Sequence, residues 1–254
     1  MEAEEEKIVE HVKEAVHTLV DKKKSWKAKI GSFLWEILVI VIAVNLTIWF
    51  HNWNDKRQEQ LQVKSFLIDI RESLIQDTVD VRRYIDRMTN DQLVYYDSVL
   101  SQINRKKIDA QYIDRNYNLL LNSYSIGFNY GIYQSFSSAN NLRLIENRKL
   151  LSDIISLYTY YFPTLESNIK DQYEKRADGF NKYIAVKIGF DNSGLTKLSA
   201  IIYQPEVIYL LRMGDAYIKE ENGSSGRIIN RMAAAIQEID KELKDKFDYT
   251  VSEN

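Results

Sequence analysis

The chain has 254 residues, of which 45% are hydrophobic and 28% charged, and its formal net charge is −2. This balance is that of a folded chain with one large domain or two small ones, and it gives no indication of nucleic-acid binding. The absence of cysteine excludes disulfides, thiol catalysis and thiolate metal sites. Gly and Pro are scarce, which favours helix. The three histidines all lie early in the chain, at His11, His17 and His51.

The first 31 residues read as an acidic amphipathic helix followed by a lysine cluster. Residues 1–21 carry seven acidic residues and two lysines, whereas residues 22–31 carry five lysines and no acidic residue. Ile8, Val12 and Leu19 lie on one apolar face at helical spacing. An acidic helix is poorly suited to an anionic membrane surface. We therefore expect a short coiled coil or a docking helix for a partner, with these three residues in the interface.

Residues 32–53 are predicted to form a transmembrane helix. The apolar run 33–53 is about 31 Å long as a helix, which matches a hydrocarbon core of about 30 Å. Aromatic residues lie near both of its ends, including Trp49 and Trp53, as is typical of residues at the membrane interface. The alternative is a core helix of a soluble protein. Since 32 residues precede the run and no small-residue cleavage site follows it, an uncleaved signal anchor fits better than a signal peptide.

Two polar residues interrupt this apolar run. Glu36 lies about one turn inside it, where its side chain can reach the headgroups. Asn45 lies deeper, and an intramembrane Asn commonly bonds across a helix interface for roughly 0.5–2 kcal/mol. Self-association or a partner helix at Asn45, and a merely tolerated polar residue, both remain open.

The orientation is inferred from the cationic residues that flank the span. Five lysines precede it, whereas Lys56, Arg57 and Lys64 follow it. This excess favours a cytoplasmic N-terminus. The chain would then be a single-pass protein of the bacterial inner membrane, with residues 54–254 as its periplasmic domain.

The large domain is predicted to be helical throughout, because residues 32–126 contain neither Gly nor Pro and later apolar residues recur at spacings of three and four. The expected elements, in chain order, are a helix over 63–103 broken at most once, a turn at 104–107, a helix over 111–121, a loop with a short helix over 127–141, a helix over 142–161, a helix from Pro163 to about 183, a turn at 189–194, a helix over 206–219, a flexible turn at 221–226 and a helix over 228–247. The fold class is therefore all-α, with a transmembrane helix that continues into a long stalk helix and an antiparallel helical bundle.

No motif for catalysis or cofactor binding is present. The chain has no GxGxxG, GxxxxGK[ST], GxSxG or HExxH sequence. The carboxylate groups considered lie on predicted solvated faces: Asp69, Glu72, Glu238, Glu242 and Asp245. No catalytic, cofactor-binding or metal residue is assigned, and the chain is not expected to be an enzyme. Its many tyrosines suit core and interface packing better than a ligand pocket, which remains the alternative.

Three segments carry a resemblance to a known family. The first begins with Glu36 and Ile37 and ends with Asn52-Trp53-Asn54-Asp55. The second is residues 65–70, at the start of the first extramembrane helix, and the third is the small-residue segment 133–145. These segments resemble an uncharacterised family of single-pass membrane proteins of Bacteroidota. The resemblance covers roughly residues 33–165 and implies a bacterial membrane anchor, without an activity or catalytic residues. The acidic N-terminal helix departs from the family pattern.

These observations favour a non-enzymatic, membrane-anchored interaction or scaffold protein, an accessory subunit of an inner-membrane or envelope complex. The expected partners are the lipid bilayer and other membrane or periplasmic proteins, in a homo- or hetero-oligomer, with neither nucleic acid nor a cofactor. The alternative is a periplasmic helical bundle that senses a ligand and signals through a separate partner.

Overall fold

The computed structural model describes Glu10, Val12, Lys13 and residues 26–189 and 191–250. It divides into two compact units, residues 1–62 and residues 63–254. The described residues form helices and connecting segments with no β-strand, so the predicted all-α class is confirmed. The two units are described separately below.

The first unit contains most of helix α1, Trp26–Arg87, which ends in the second unit. The apolar side chains of this unit are exposed, with Leu46 at 59% and Trp49 at 65%. The helical stretch Phe33–Asn104 contains a window of mean hydropathy 2.2, none of which is buried. Among the described residues, this is one helix long and apolar enough to span a membrane.

In the second unit, the end of α1 is followed by a π-helical segment, Met88–Leu93, and by α2, Val94–Asn104. The predicted single break in the first long helix is this π segment. Together these pieces form the first long helix of the second unit, from Val63 to Asn104. The apolar side chains spaced three and four apart along it are buried, as the periodicity predicts.

The second long helix is built from α5 (Arg148–Ser156), a π segment (Leu157–Tyr161), α6 (Phe162–Phe180) and a second π segment (Asn181–Ala185). The predicted start at residue 142 is wrong. Residues 141–144 form a 3₁₀ turn, and the helix begins after Asn147, whose side-chain oxygen accepts a hydrogen bond from the backbone N–H of Leu150 at 3.1 Å.

Pro163 does not start a new helix, contrary to the prediction. The helix runs on through it, and the π segment Leu157–Tyr161 ends just before it. A proline inside an α-helix removes one N–H donor and clashes with the carbonyl four residues earlier. The wider turn of a π-helix relieves this crowding, so the chain passes the proline without breaking.

The third long helix is α8, Pro205–Phe247, which begins at the predicted proline. The predicted turn at 221–226 is wrong, because the helix passes through this Gly- and Ser-rich stretch without interruption. Glu221 and Ser225 are buried there, and Asn222 Nδ2 donates to Thr89 Oγ1 at 3.0 Å. Packing against the first helix therefore overrides the weak local helix propensity.

The three long helices form a bundle in which α8 runs antiparallel to the other two. Along α8 and the first helix, partner numbers run in opposite directions: Arg71 pairs with Asp240, Tyr84 with Glu221 and Asp97 with Lys219. The same holds between α8 and the second helix, with pairs Asn147–Glu242 and Lys149–Glu238. The first and second helices are therefore parallel to each other.

Residues 105–147 return the chain between these two parallel helices. They contain the short helices α3 (Ala110–Arg115) and α4 (Gly131–Ser138), the 3₁₀ turns Tyr117–Leu120 and Asn141–Leu144, and an irregular stretch between. Tyr95 donates to the carbonyl of Ile113 at one end of this path, and Phe66 stacks on Phe136 at 3.9 Å at the other. The short helix α7, Leu198–Ile201, follows the predicted turn at 189–194.

Candidate functional site

The residues predicted for membrane and partner contacts lie on helices wherever they are described. Ile8 and Leu19 fall outside the described residues, and Val12 is helical and 46% exposed. Glu36, Asn45, Trp49 and Trp53 lie on α1. Their roles at a membrane or a partner remain predictions.

Two of these side chains have clear local contacts. Asn45 Nδ2 donates to the carbonyl of Val41 at 2.8 Å, so its amide nitrogen is satisfied within its own helix. Trp53 lies under the Arg57 guanidinium, whose carbon is 5.9 Å from the ring centroid. An aromatic ring beside a cation is a common arrangement at a membrane interface.

Two acidic side chains of the bundle are buried, and neither was predicted from the sequence to have a role. Glu221 is 2% exposed and Asp77 is 4% exposed. Of the carboxylates that were considered, Asp69, Glu72 and Asp245 are exposed as predicted. Glu238 and Glu242 are instead half-buried against Lys149 and Asn147 of the second helix.

Glu221 is held by side chains from both neighbouring helices. Tyr84 of the first helix donates to its Oε2 at 3.1 Å. With its amide turned to satisfy both polar atoms, Gln172 of the second helix donates to Oε1 at 2.8 Å. Burial raises the pKa of Glu221 to about 7, while the positive charge of Arg176 opposes this increase. The carboxyl is therefore partly protonated near neutral pH.

Asp77 lies in a second buried acidic environment. Burial raises its pKa to about 6, the backbone N–H of Asn129 opposes the shift, and the charges of Asp80 and Glu166 add to it. Glu166 accepts hydrogen bonds from Tyr130 at 2.9 Å and from the backbone N–H of Phe128 at 3.2 Å. Within the described part of the chain, no group of three metal-ligating side chains is found.

A regular spacing could have revealed Glu221 from the sequence. The buried positions of α8 continue at intervals of three and four through the predicted turn: Leu211, Gly214, Ile218, Glu221, Ser225, Ile228 and Met232. Glu221 and Ser225 occupy core positions in this series. An acidic residue at a core position of a helix indicates a partner on a facing helix, which here is Tyr84.

A cavity of about 180 Å³ lies between the second and third long helices, near Tyr96 of the first. Its lining combines aromatic, aliphatic and cationic side chains: Tyr96, Leu120, Lys175, Arg176, Phe180, Ile184, Tyr209, Leu210, Leu211, Met213, Gly214 and Tyr217. No local sequence pattern predicts this cavity, because its walls come from distant segments of the chain.

Two glycines shape the surroundings of this cavity. A Cβ atom at Gly214 would lie 2.5 Å from Cε1 of Tyr96, and one at Gly179 would lie 2.7 Å from Cδ2 of Leu210. Both distances are too short for carbon atoms. Gly214 therefore allows the Tyr96 ring to lie directly against the backbone of α8.

Arg176 is a charged group of the cavity wall whose only hydrogen bond among those described is to a neutral amide. Its Nη1 donates to Gln92 Oε1 at 3.1 Å, and its buried Nε has no acceptor among the described residues. Within the described part of the chain it forms no ion pair at 4.0 Å or less. A half-buried guanidinium without a carboxylate partner is costly unless another anion compensates its charge.

An exposed apolar surface adjoins the cavity, and we call it the tyrosine patch: Tyr183, Pro205 and Tyr209, which line one groove, with the exposed Val186 and Tyr203, which lie three residues after Tyr183 and two before Pro205. Tyr183, Pro205 and Tyr209 line one groove of about 410 Å³, together with Glu206 and Leu210. Tyr209 and Leu210 also line the cavity. The cavity and the patch are therefore neighbours at the end of the bundle where the second helix ends and α8 begins.

No family model, curated protein or solved structure matches the chain.

Proposed function

We propose that this chain is a non-enzymatic, membrane-anchored interaction protein. Residues 32–53 hold it in a bacterial inner membrane, and the helical bundle binds another envelope protein on the periplasmic side. In this proposal the chain is an accessory subunit of a larger complex. The single observation that carries the binding role is the exposed tyrosine patch.

The anchor is supported by how the apolar residues of the first unit are displayed. Leu34, Leu46 and Ile48 are 59%, 59% and 53% exposed, and the neighbouring Trp35 and Trp49 are 66% and 65% exposed. So many exposed apolar side chains on one helix require an apolar surrounding. The length of the stretch matches a bilayer, so lipid is the surrounding that we propose.

The tyrosine patch is supported as a protein contact by its composition and exposure. Tyr209 is 62% exposed, Tyr183 50%, Tyr203 48% and Val186 77%. Tyrosine is enriched in interfaces because it combines an apolar ring with a hydroxyl that can form a hydrogen bond.

The charges around the patch define the chemistry of the partner. Lys187 and Arg212 lie one turn from Tyr183 and Tyr209, and both are exposed. Neither forms an ion pair with any of the residues that the structure describes. We therefore propose a protein partner with an apolar centre, acidic residues opposite Lys187 and Arg212, and a basic residue opposite Glu206 of the groove.

Paired tyrosine variants test this interaction. The full chain is extracted from native membranes in mild detergent, and co-purifying proteins are quantified for the wild type, for Tyr183→Ser with Tyr203→Ser, and for Tyr160→Ser. Tyr160 is the matched control, since it is 61% exposed and lies outside the patch. Loss of a defined partner in the double variant alone is expected. Equal retention of every co-purifying protein by all three forms would overturn the proposal.

The cavity favours a second candidate function, a bundle that senses a small ligand. Its position beside the patch places a bound ligand next to the surface proposed for the partner. Ligand binding would then change how strongly the partner is held. The measurement is partner retention with and without ligand, and a retention that never changes would count against sensing.

A further inference from the structure

We propose that the cavity beside Arg176 binds a small aromatic monocarboxylate, with the carboxylate on the guanidinium and the ring among the apolar side chains. This proposal gives a ligand class to the second candidate function, ligand sensing. Only the idea that the bound ligand acts as a signal rests on that proposed function. The binding itself is argued from the cavity.

The size of the cavity suits a single ring. An apolar cavity of about 150 Å³ in a protein core can hold benzene. The cavity here has about 180 Å³. It therefore accommodates one six-membered ring with a short substituent.

The charge of the site requires an acidic ligand. Nη1 of Arg176 is occupied by Gln92, whereas the described residues offer no acceptor to Nε. Since Nε itself is sealed from the cavity, a carboxylate there would be held by the outer guanidinium nitrogens through charge-assisted hydrogen bonds. Lys175 also lines the cavity and adds a second positive charge.

The nearby acidic residue does not remove this requirement. Glu221 already accepts hydrogen bonds from Tyr84 and Gln172. Its raised pKa leaves it partly neutral near pH 7. Glu221, whose pKa the charge of Arg176 lowers, therefore compensates this positive charge only in part.

The remaining walls suit an aromatic ring. Phe180, Tyr209 and Tyr217 present ring surfaces, and Met213 presents a thioether. Aromatic rings and methionine sulfur both pack favourably against a ring. Ile184 and Leu211 complete the apolar part of the lining, which suits the ring of a ligand that carries one carboxylate.

The test compares benzoate with benzamide, which has the same shape but no charge. Binding of each probe to the full chain in detergent is measured by calorimetry, for the wild type, Arg176→Gln and Arg227→Gln. Arg227 is the matched control because it is an exposed arginine of α8 outside the cavity lining and outside the tyrosine patch. Benzoate should bind at least about tenfold more tightly than benzamide, and Arg176→Gln should remove this preference while Arg227→Gln retains it.

A second readout keeps the test decisive if Arg176→Gln does not fold. In the wild type with ¹³C-labelled methionine methyl groups, benzoate should shift the NMR signal of Met213. Met232 lies outside the cavity lining, so its signal should not move.

Two results would overturn the site: no saturable shift of Met213 with benzoate at millimolar concentration, or equal binding of benzoate and benzamide. Benzoate binding that leaves partner retention unchanged would instead contradict sensing and leave the carboxylate site established. Loss of the partner in the patch variants is measured separately and tests only the interaction proposal.

Discussion

Helix α1 contains two apolar stretches that meet different surroundings. In residues 37–53 the large apolar side chains other than the half-buried Ile40 are exposed, at 41–65%, and they lie on all sides of the helix. In residues 63–84 the side chains at spacings of three and four, such as Leu67, Ile70 and Leu74, are fully buried, whereas Ile75 and Val79 are exposed. The two stretches thus contain similar apolar residues, and the distribution of these residues around the helix determines which surroundings each stretch suits. An apolar surface on every side suits lipid, and a single apolar stripe suits a protein core.

The largest expected effect comes from removing the same side chain in each stretch. Leu74→Ala should lower the free energy of unfolding of the bundle by about 2–5 kcal/mol, because it leaves a cavity in the core. Leu46→Ala should leave that free energy unchanged. Both are measured by chemical denaturation of the full chain in detergent, followed by circular dichroism. Equal destabilisation by the two variants would contradict the distinction between the stretches.

Two glycines of α8 allow the same comparison between a packed position and an open one. Gly214→Ala should destabilise the bundle by about 1–3 kcal/mol, because the new Cβ overlaps the Tyr96 ring. Gly226→Ala should stabilise it by roughly 0.5–1 kcal/mol, since nothing lies within 4 Å of that Cβ and alanine favours helix. Thermal unfolding measures both. Stabilisation by both variants would show that Tyr96 does not occupy the position described.

The buried acids predict a pH dependence that exposed acids do not share. The folded-state pKa of Asp77 is raised to about 6 and that of Glu221 to about 7, so the folded protein binds protons more tightly than the unfolded chain. Their stabilising contribution is full below the unfolded pKa values of about 4 and is lost as the pH rises through 6 and 7. The Tm should therefore fall between about pH 5 and about pH 8.

The Glu221→Gln variant isolates one of these groups. It should weaken the fall in Tm with pH and raise the Tm near pH 8 by about 2–4 °C, which corresponds to about 1 kcal/mol for a domain of this size. Glu220→Gln is the control, because Glu220 is the exposed neighbour. A Tm profile that Glu221→Gln leaves unchanged would contradict the assignment.

The smallest effect is expected in the exposed stretch of α1. Asn45→Leu should weaken self-association or helix pairing in detergent by about 0.6 kcal/mol, because it removes an amide that can bond across a helix interface. Thr47→Val is the control on another face: Thr47 and Asn45 each donate to a carbonyl of their own helix, but the Asn45 amide keeps a second N–H and its oxygen for a neighbouring helix, whereas the only hydroxyl proton of Thr47 is used. Native mass spectrometry reads out the assembly. An unchanged mass distribution for Asn45→Leu would remove Asn45 from the interface.

Local patterns predicted the parts of the fold that depend on local chemistry. The spacing of Phe66, Leu67, Ile70 and Leu74 predicted the first long helix, and Pro205 predicted the start of α8, because periodicity and a fixed φ angle act within a few residues. The turn at Asn104–Lys107 followed in the same way, and Lys106 there has the positive φ of 52° typical of a turn.

Distant contacts determined what the local patterns missed. Residues 221–226 look like a turn by composition, but Glu221 meets Tyr84, which is 137 positions away in the chain, and this contact keeps the segment helical. The cavity has the same origin, because Arg176 and Gly214 lie on different helices and neither carries a local signal of a site. The tyrosine patch likewise depends on the end of one helix meeting the start of another.

The anchoring of the bundle can be tested most directly by thiol labelling, because the chain contains no cysteine. Leu46→Cys and Val79→Cys each place one thiol at an exposed apolar position of α1, at 59% and 42% exposure. Both are treated with a membrane-impermeant maleimide in native membrane fragments that are open on both sides, and again after denaturation in SDS. The proposal predicts that Val79→Cys is labelled in both conditions and Leu46→Cys only after denaturation. Equal labelling of the two variants in intact membrane fragments would contradict the membrane anchor.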